Sequence, residues 1–146
     1  MRWLHVVLAA GLAFAAAACV QARKSSAGFH LPDGDPQRGR QAFVELRCSA
    51  CHRVDGVVLP KPVADPPVPV MLGGMVGYAK TDGELAAAII DPSHRTAAGY
   101  RLADVRVGEL SRMGDFSEQM TVRELIDLVA FLQSRYEVRE PRLPYR

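Results

Sequence analysis

The sequence predicts a small all-α fold of three short helices joined by long loops, and three observations predict it. Two segments open with a threonine followed three positions later by glutamate, and a third opens on aspartate-proline. No run of residues reads as a convincing strand.

Asp35-Pro36 supplies an N-cap and a proline at the first helical position, and Ala42, Phe43 and Leu46 follow at helical spacing, so the first helix is expected to run up to Cys48. The second begins at Thr81, where Thr81 and Glu84 form a capping box; Leu85 to Ile90 continue it and Asp91-Pro92 stop it. The third opens at Thr121 with a second capping box to Glu124. Met120 before it is placed to staple onto Leu125, and the apolar stripe Ile126, Leu128, Val129, Leu132 carries the helix to Arg135 or Tyr136.

Between the first two helices, residues 53–80 carry five prolines from Pro60 to Pro69 and then Gly73, Gly74 and Gly77. A structureless loop of that length is unusual inside a compact domain. Three short helices also bury little apolar area against their ordering cost, so something other than side chains is expected to complete the core.

Composition narrows the function. The chain has 146 residues, 49% hydrophobic and 23% charged, with 18 basic and 16 acidic side chains. One globular domain is the expectation, and three cysteines are too few for a disulfide scaffold. A formal charge of +2 without a basic run argues against a nucleic-acid surface.

Residues 1–18 read as a signal peptide: Arg2 precedes fifteen residues, Val6 to Val20, that lack a charge, amide or hydroxyl side chain. A tilted, uncleaved anchor is the alternative, although the stretch is short for a span. Cleavage after Ala18 or after Ala22 fits the small side chains there. Ala16-Ala17-Ala18-Cys19 resembles a bacterial lipoprotein box, with alanine where leucine is preferred; the resemblance implies lipidation of Cys19, and the absence of aspartate after it implies the outer membrane. Otherwise Cys19 is a small apolar residue of the discarded peptide. Losing residues 1–18 leaves 17 basic against 16 acidic residues, a net +1. Residues 19–34 read as a polar tether, 35–137 as the folded domain and 138–146 as an extended tail.

The chemistry lies at Cys48-Ser49-Ala50-Cys51-His52, the C-x-x-C-H pattern of c-type haem attachment. Two thiols three positions apart at a helix end sit about one turn from each other and can reach two vinyl groups on one porphyrin edge, and His52 is then held under the ring with its imidazole aimed at the iron. A covalently tethered macrocycle also supplies the missing core. Zinc would need two more ligands, with only His30, His94 and acidic residues to give them. A thioredoxin-type pair would need a preceding strand. A Cys48–Cys51 disulfide leaves the histidine unexplained.

The sequence resembles the class I monohaem cytochromes c over about Asp35 to Glu137. Gly39-x-x-x-Phe43 in the first helix, the haem motif, and Leu128-Val129-Ala130-Phe131-Leu132 in the last helix occur in the family's order. The resemblance implies a cytochrome c-like fold wrapped around one haem c, with Gly39 and Phe43 crossing Leu128 and Phe131. For the sixth iron position the chain offers Met71, Met75, Met113, Met120, His30 and His94. Met113-Gly114-Asp115-Phe116 resembles the family's element around the axial methionine, with Gly114 where proline is usual, which implies Met113 as ligand opposite His52. Pro69 with Leu72 resembles the proline loop whose carbonyl orients the axial histidine, with Pro66 and Pro67 close by.

The expectation is therefore an exported, periplasmic one-electron carrier, monomeric and held at a membrane surface if Cys19 is lipidated, that meets its redox donor and acceptor transiently. A permanent subunit of a larger oxidoreductase is the alternative, followed by a gas-binding or peroxidase-like haem protein with an open sixth position.

Overall fold

The computed structural model describes residues 28–60, 68–78 and 80–139. The signal peptide, Cys19 and most of the tail after Val138 lie outside the described residues. Helix α1, Pro36–Glu45, starts where Asp35 accepts from the backbone N–H groups of Gln37 (2.8 Å) and Arg38 (3.2 Å). It ends earlier than the expected Cys48, because Arg47 turns into the left-handed region (φ 58°) and the chain restarts as a 3₁₀ turn, Cys48–Ala50. Helix α2, Asp82–Ile90, and helix α4, Val122–Gln133, both carry the complete capping boxes expected at Thr81 and Thr121. A four-residue helix α3, Leu102–Val105, lies between them.

The all-α expectation is corrected by three short strand pairings. Strand β1, His52–Val54, runs parallel to β2, Val70–Leu72; β3, Gly74–Val76, runs parallel to β6, Tyr136–Val138; and β4, Arg106–Val107, forms a tight antiparallel pair with β5, Leu110–Ser111. Each is two or three residues long, too short to show a period of two in sequence. Each satisfies backbone groups that a loop crossing the domain would leave unpaired. The long stretch after the haem motif is thus a splint rather than a free loop: residues 70–76 pair first with β1, then pass through Gly73 (φ 81°) and Gly74 (φ 74°) and pair with β6.

Packing is dominated by α1 crossing α4. Phe43, Leu128 and Val129 are the deepest side chains, and Phe43 meets Phe131 edge to face with centroids 5.6 Å apart. The crossing is close because Gly39 has no side chain: a Cβ there would lie 1.9 Å from the Asp127 carbonyl oxygen and 2.7 Å from the Phe131 Cβ. Leu85, Ala86 and Ile89 of α2 and Val54 of β1 complete the buried cluster, with Met120 and Leu125 packed at its edge. The end of the expected tether joins the domain: Leu31 packs on this core, and its N–H donates to Asp82 (2.8 Å). No helix among the described residues is long and apolar enough to cross a membrane.

A carboxylate sits inside the crossing. Asp127, 2% exposed, accepts from Arg38 Nε (2.8 Å) and from the Asp35 N–H (2.7 Å), tying the start of α1 to the middle of α4. The Arg38 guanidinium holds the Asp127 carboxyl below the usual aspartate range, with the Asp35 N–H adding to the effect. A depressed carboxyl contributes stability that is present above its unfolded value, about 3.9, and is lost as the pH falls through the folded one. Asp127→Asn is therefore expected to lower the denaturation midpoint at neutral pH, and the deficit should shrink in acid below the ordinary aspartate range. Denaturation curves across pH check this; a deficit independent of pH contradicts it.

Candidate haem-attachment site

The attachment turn is built by the end of α1. The left-handed Arg47 redirects the chain, the Arg47 and Cys48 carbonyls accept from the N–H groups of Ala50 (2.9 Å) and Cys51 (3.2 Å), and the turn runs straight into β1. Cys48 and Cys51 thus stand on one short turn, and their thiols are unbonded. Cys48 is half-buried against the helical core and Cys51 is exposed. Burial pushes the Cys48 thiol up to about 11.

His52 opens β1 and stands opposite Val70 of β2. Successive strand residues face opposite sides. His52 and Val54 therefore share the core side of the ladder, where Val54 is buried and the His52 ring lies 6.4 Å from Phe43. Burial pushes the His52 imidazole below its ordinary value, the Val70 backbone opposing, and so keeps the ring in the neutral form that binds metals. Its Nδ1 is buried without a hydrogen-bond partner.

Pro69 is exposed and immediately precedes β2, so the backbone lying beside His52 is that of Val70, one residue further on. Met113 is half-buried on a separate loop after β5, its N–H donating to Ser111 Oγ (3.1 Å), and no hydrogen bond joins it to the attachment turn. The other candidate ligands have different surroundings. Met71 pairs with Arg53 in the ladder and so faces away from His52; it is 56% exposed and Met75 is 60% exposed. Met120 packs at the core edge. His30 is exposed, and His94 Nδ1 is bonded to the Asp91 carbonyl at the end of α2.

Two features were not legible from sequence. The Val70 backbone reaches His52 only through parallel pairing across eighteen positions. Arg53, immediately after the motif, folds its guanidinium back onto the carbonyls of Ser49 (2.9 Å) and His52 (3.1 Å). Neither carries a sequence signal, since both depend on where the chain returns.

These residues fit a covalently attached haem. Two unbonded thiols share one turn, a half-buried imidazole with a buried, unpartnered nitrogen follows at once, and the side-chain core is one-sided. The buried cluster lies around α1, α2 and α4, while Leu102 on α3, Val107 on β4 and Leu110 on β5 are more than 60% exposed. Among the described residues no three His, Cys, Asp or Glu side chains gather as a metal site, so the zinc alternative finds no ligand set.

Comparison with known proteins agrees with this geometry. The family model described as cytochrome c matches residues 36–135, from the first residue of α1 to just past the end of α4. No characterised protein and no solved structure matches the chain. The match takes in the glycine-mediated helix crossing and the C-x-x-C-H turn together, in the order in which they build the site, and the chain belongs to the cytochrome c family.

Proposed function

We propose that the protein is a one-electron carrier with a single haem, attached through Cys48 and Cys51 and ligated by His52 and Met113. The observation that carries this reading is the attachment turn itself, held between α1 and the β1–β2 ladder with its thiols unbonded and the imidazole on the core side. When bound, the haem supplies an iron that cycles between ferric and ferrous states without making a bond in a substrate. The polypeptide's part is to fix the His52 ring beside Phe43, to seal one face of the site with the α1–α4 core, and to keep the turn from moving as charge changes.

Met113 is the sixth ligand in this reading. Its competitors are committed elsewhere: Met120 to the core edge, Met71 to the far face of the ladder, Met75 to solvent. Histidine–methionine ligation raises the reduction potential and closes the iron to exogenous ligands, as a carrier needs. The ferric protein should show the weak near-infrared band of iron–methionine ligation and the ferrous protein should resist carbon monoxide. Met113→Ala should erase the band, lower the potential and admit carbon monoxide, whereas Met71→Ala, Met75→Ala and Met120→Ala should keep the band. Loss of the band in Met75→Ala with retention in Met113→Ala reassigns the ligand. An unmutated protein that lacks the band and takes up carbon monoxide refutes the carrier reading.

The carrier is exported by residues 1–18 and anchored at the outer membrane through a lipidated Cys19, with the polar stretch after it as the tether. It meets donor and acceptor through a small interface, below about 1,200 Å² as in other redox encounters. Mass spectrometry of the mature N-terminus should find an acylated Cys19. A chain beginning at Arg23 rules the anchor out.

A further inference from the structure

The attachment turn leaves the Ser49 and His52 carbonyls outside its backbone bonding. Around it, the Arg47 and Cys48 carbonyls accept from Ala50 and Cys51, and the Cys51 carbonyl accepts from the Val70 N–H (2.9 Å). The carbonyls of Ser49 and His52 are taken instead by one nitrogen of the Arg53 guanidinium, at 2.9 and 3.1 Å. Ser49 is buried, so its carbonyl has little access to water, and a buried acceptor left unmade is costly.

Three facts make Arg53 more than a surface residue. It is half-buried, and none of the ion pairs among the described residues involves it. Strand alternation puts it on the opposite side of β1 from His52, so it grips the backbone from behind the imidazole. Its hold on the Ser49 and His52 carbonyls also spans both ends of the segment that contains Cys51. Arginine suits this place because the guanidinium is always charged and presents its donors in a rigid fork.

We propose that Arg53 is a positioning residue of the electron-transfer site, which fixes the attachment turn through the Ser49 and His52 carbonyls and whose charge raises the reduction potential. A fixed cation beside the axial histidine's backbone disfavours the more positive, oxidised state, and partial burial limits the screening of its field. The proposal rests on the carrier reading, and the two fail differently: an unmutated protein without a reversible one-electron couple refutes the carrier, whereas an intact couple indifferent to Arg53 refutes only this role.

The test is a redox titration of the haem-loaded protein at low and high salt, comparing the unmutated chain with Arg53→Lys, Arg53→Met and Arg53→Gln. Arg53→Met should lower the midpoint potential with covalent haem retained, Arg53→Lys should restore most of the loss, and the difference between them should narrow as salt rises. Should Arg53→Met not accept haem, Arg53→Gln gives the same reading, because it keeps donors for the carbonyls without the charge. A neutral variant whose potential equals that of the unmutated protein at low salt overturns the proposal.

Discussion

Cys48→Ala combined with Cys51→Ala is expected to yield a chain that carries no haem and shows no cooperative unfolding transition. The reason lies in the distribution of apolar surface. The buried cluster is formed by α1, α2, α4 and one residue of β1, while residues 70–76 and 102–113 contribute no fully buried side chain and expose Met71, Met75, Leu102, Val107 and Leu110. Native domains are stable by only about 5–15 kcal/mol, and ordering a residue costs about 1–2 kcal/mol in backbone entropy alone. Segments that bury so little of themselves need a large apolar partner to repay that ordering, and a haem tethered through the two thiols would be that partner. Absorbance and circular dichroism across a denaturant series check the result. A folded, haem-free protein with a sharp transition would show that the side chains alone suffice.

Gly39→Ala is expected to be nearly as damaging, although it adds one carbon. Its Cβ would sit 1.9 Å from a backbone carbonyl oxygen of α4, far inside contact distance, and relief requires the two helices to separate. Separation opens the Phe43–Phe131 contact and moves Asp127 away from Arg38 and Asp35, so the loss exceeds the usual overpacking cost of about 1–3 kcal/mol. Because α1 leads directly into the attachment turn, haem loading should fall with stability. Gly77→Ala is the control, since its site is open and its backbone ordinary; it should shift stability by no more than about 0.5 kcal/mol. Equal midpoints for the two variants in chemical denaturation would show that the crossing is not set by Gly39.

What the sequence discloses follows from how local the physics is. The starts of α1, α2 and α4 are readable because each cap is a bond between a side chain and a backbone group two or three positions away. Cys48, Cys51 and His52 are readable because the chemistry needs them contiguous. The strands are not readable, since His52 pairs with Val70 and Gly74 with Tyr136, and pairings so short and so distant impose no pattern on the chain. Asp127 is hidden for the same reason: in sequence it is one acidic residue on an otherwise apolar helix face, and only the crossing brings Arg38 and Asp35 to it. The stop of α1 is hidden too, because nothing about arginine announces the left-handed backbone at Arg47.

The central proposal is that Cys48 and Cys51 bind a single haem. The intact mass of the purified protein under denaturing conditions tests it most directly. The expected result is the mass of the polypeptide plus one haem, with the haem remaining on the polypeptide after denaturing electrophoresis. A chain at polypeptide mass alone, or a haem that leaves on denaturation, would contradict it.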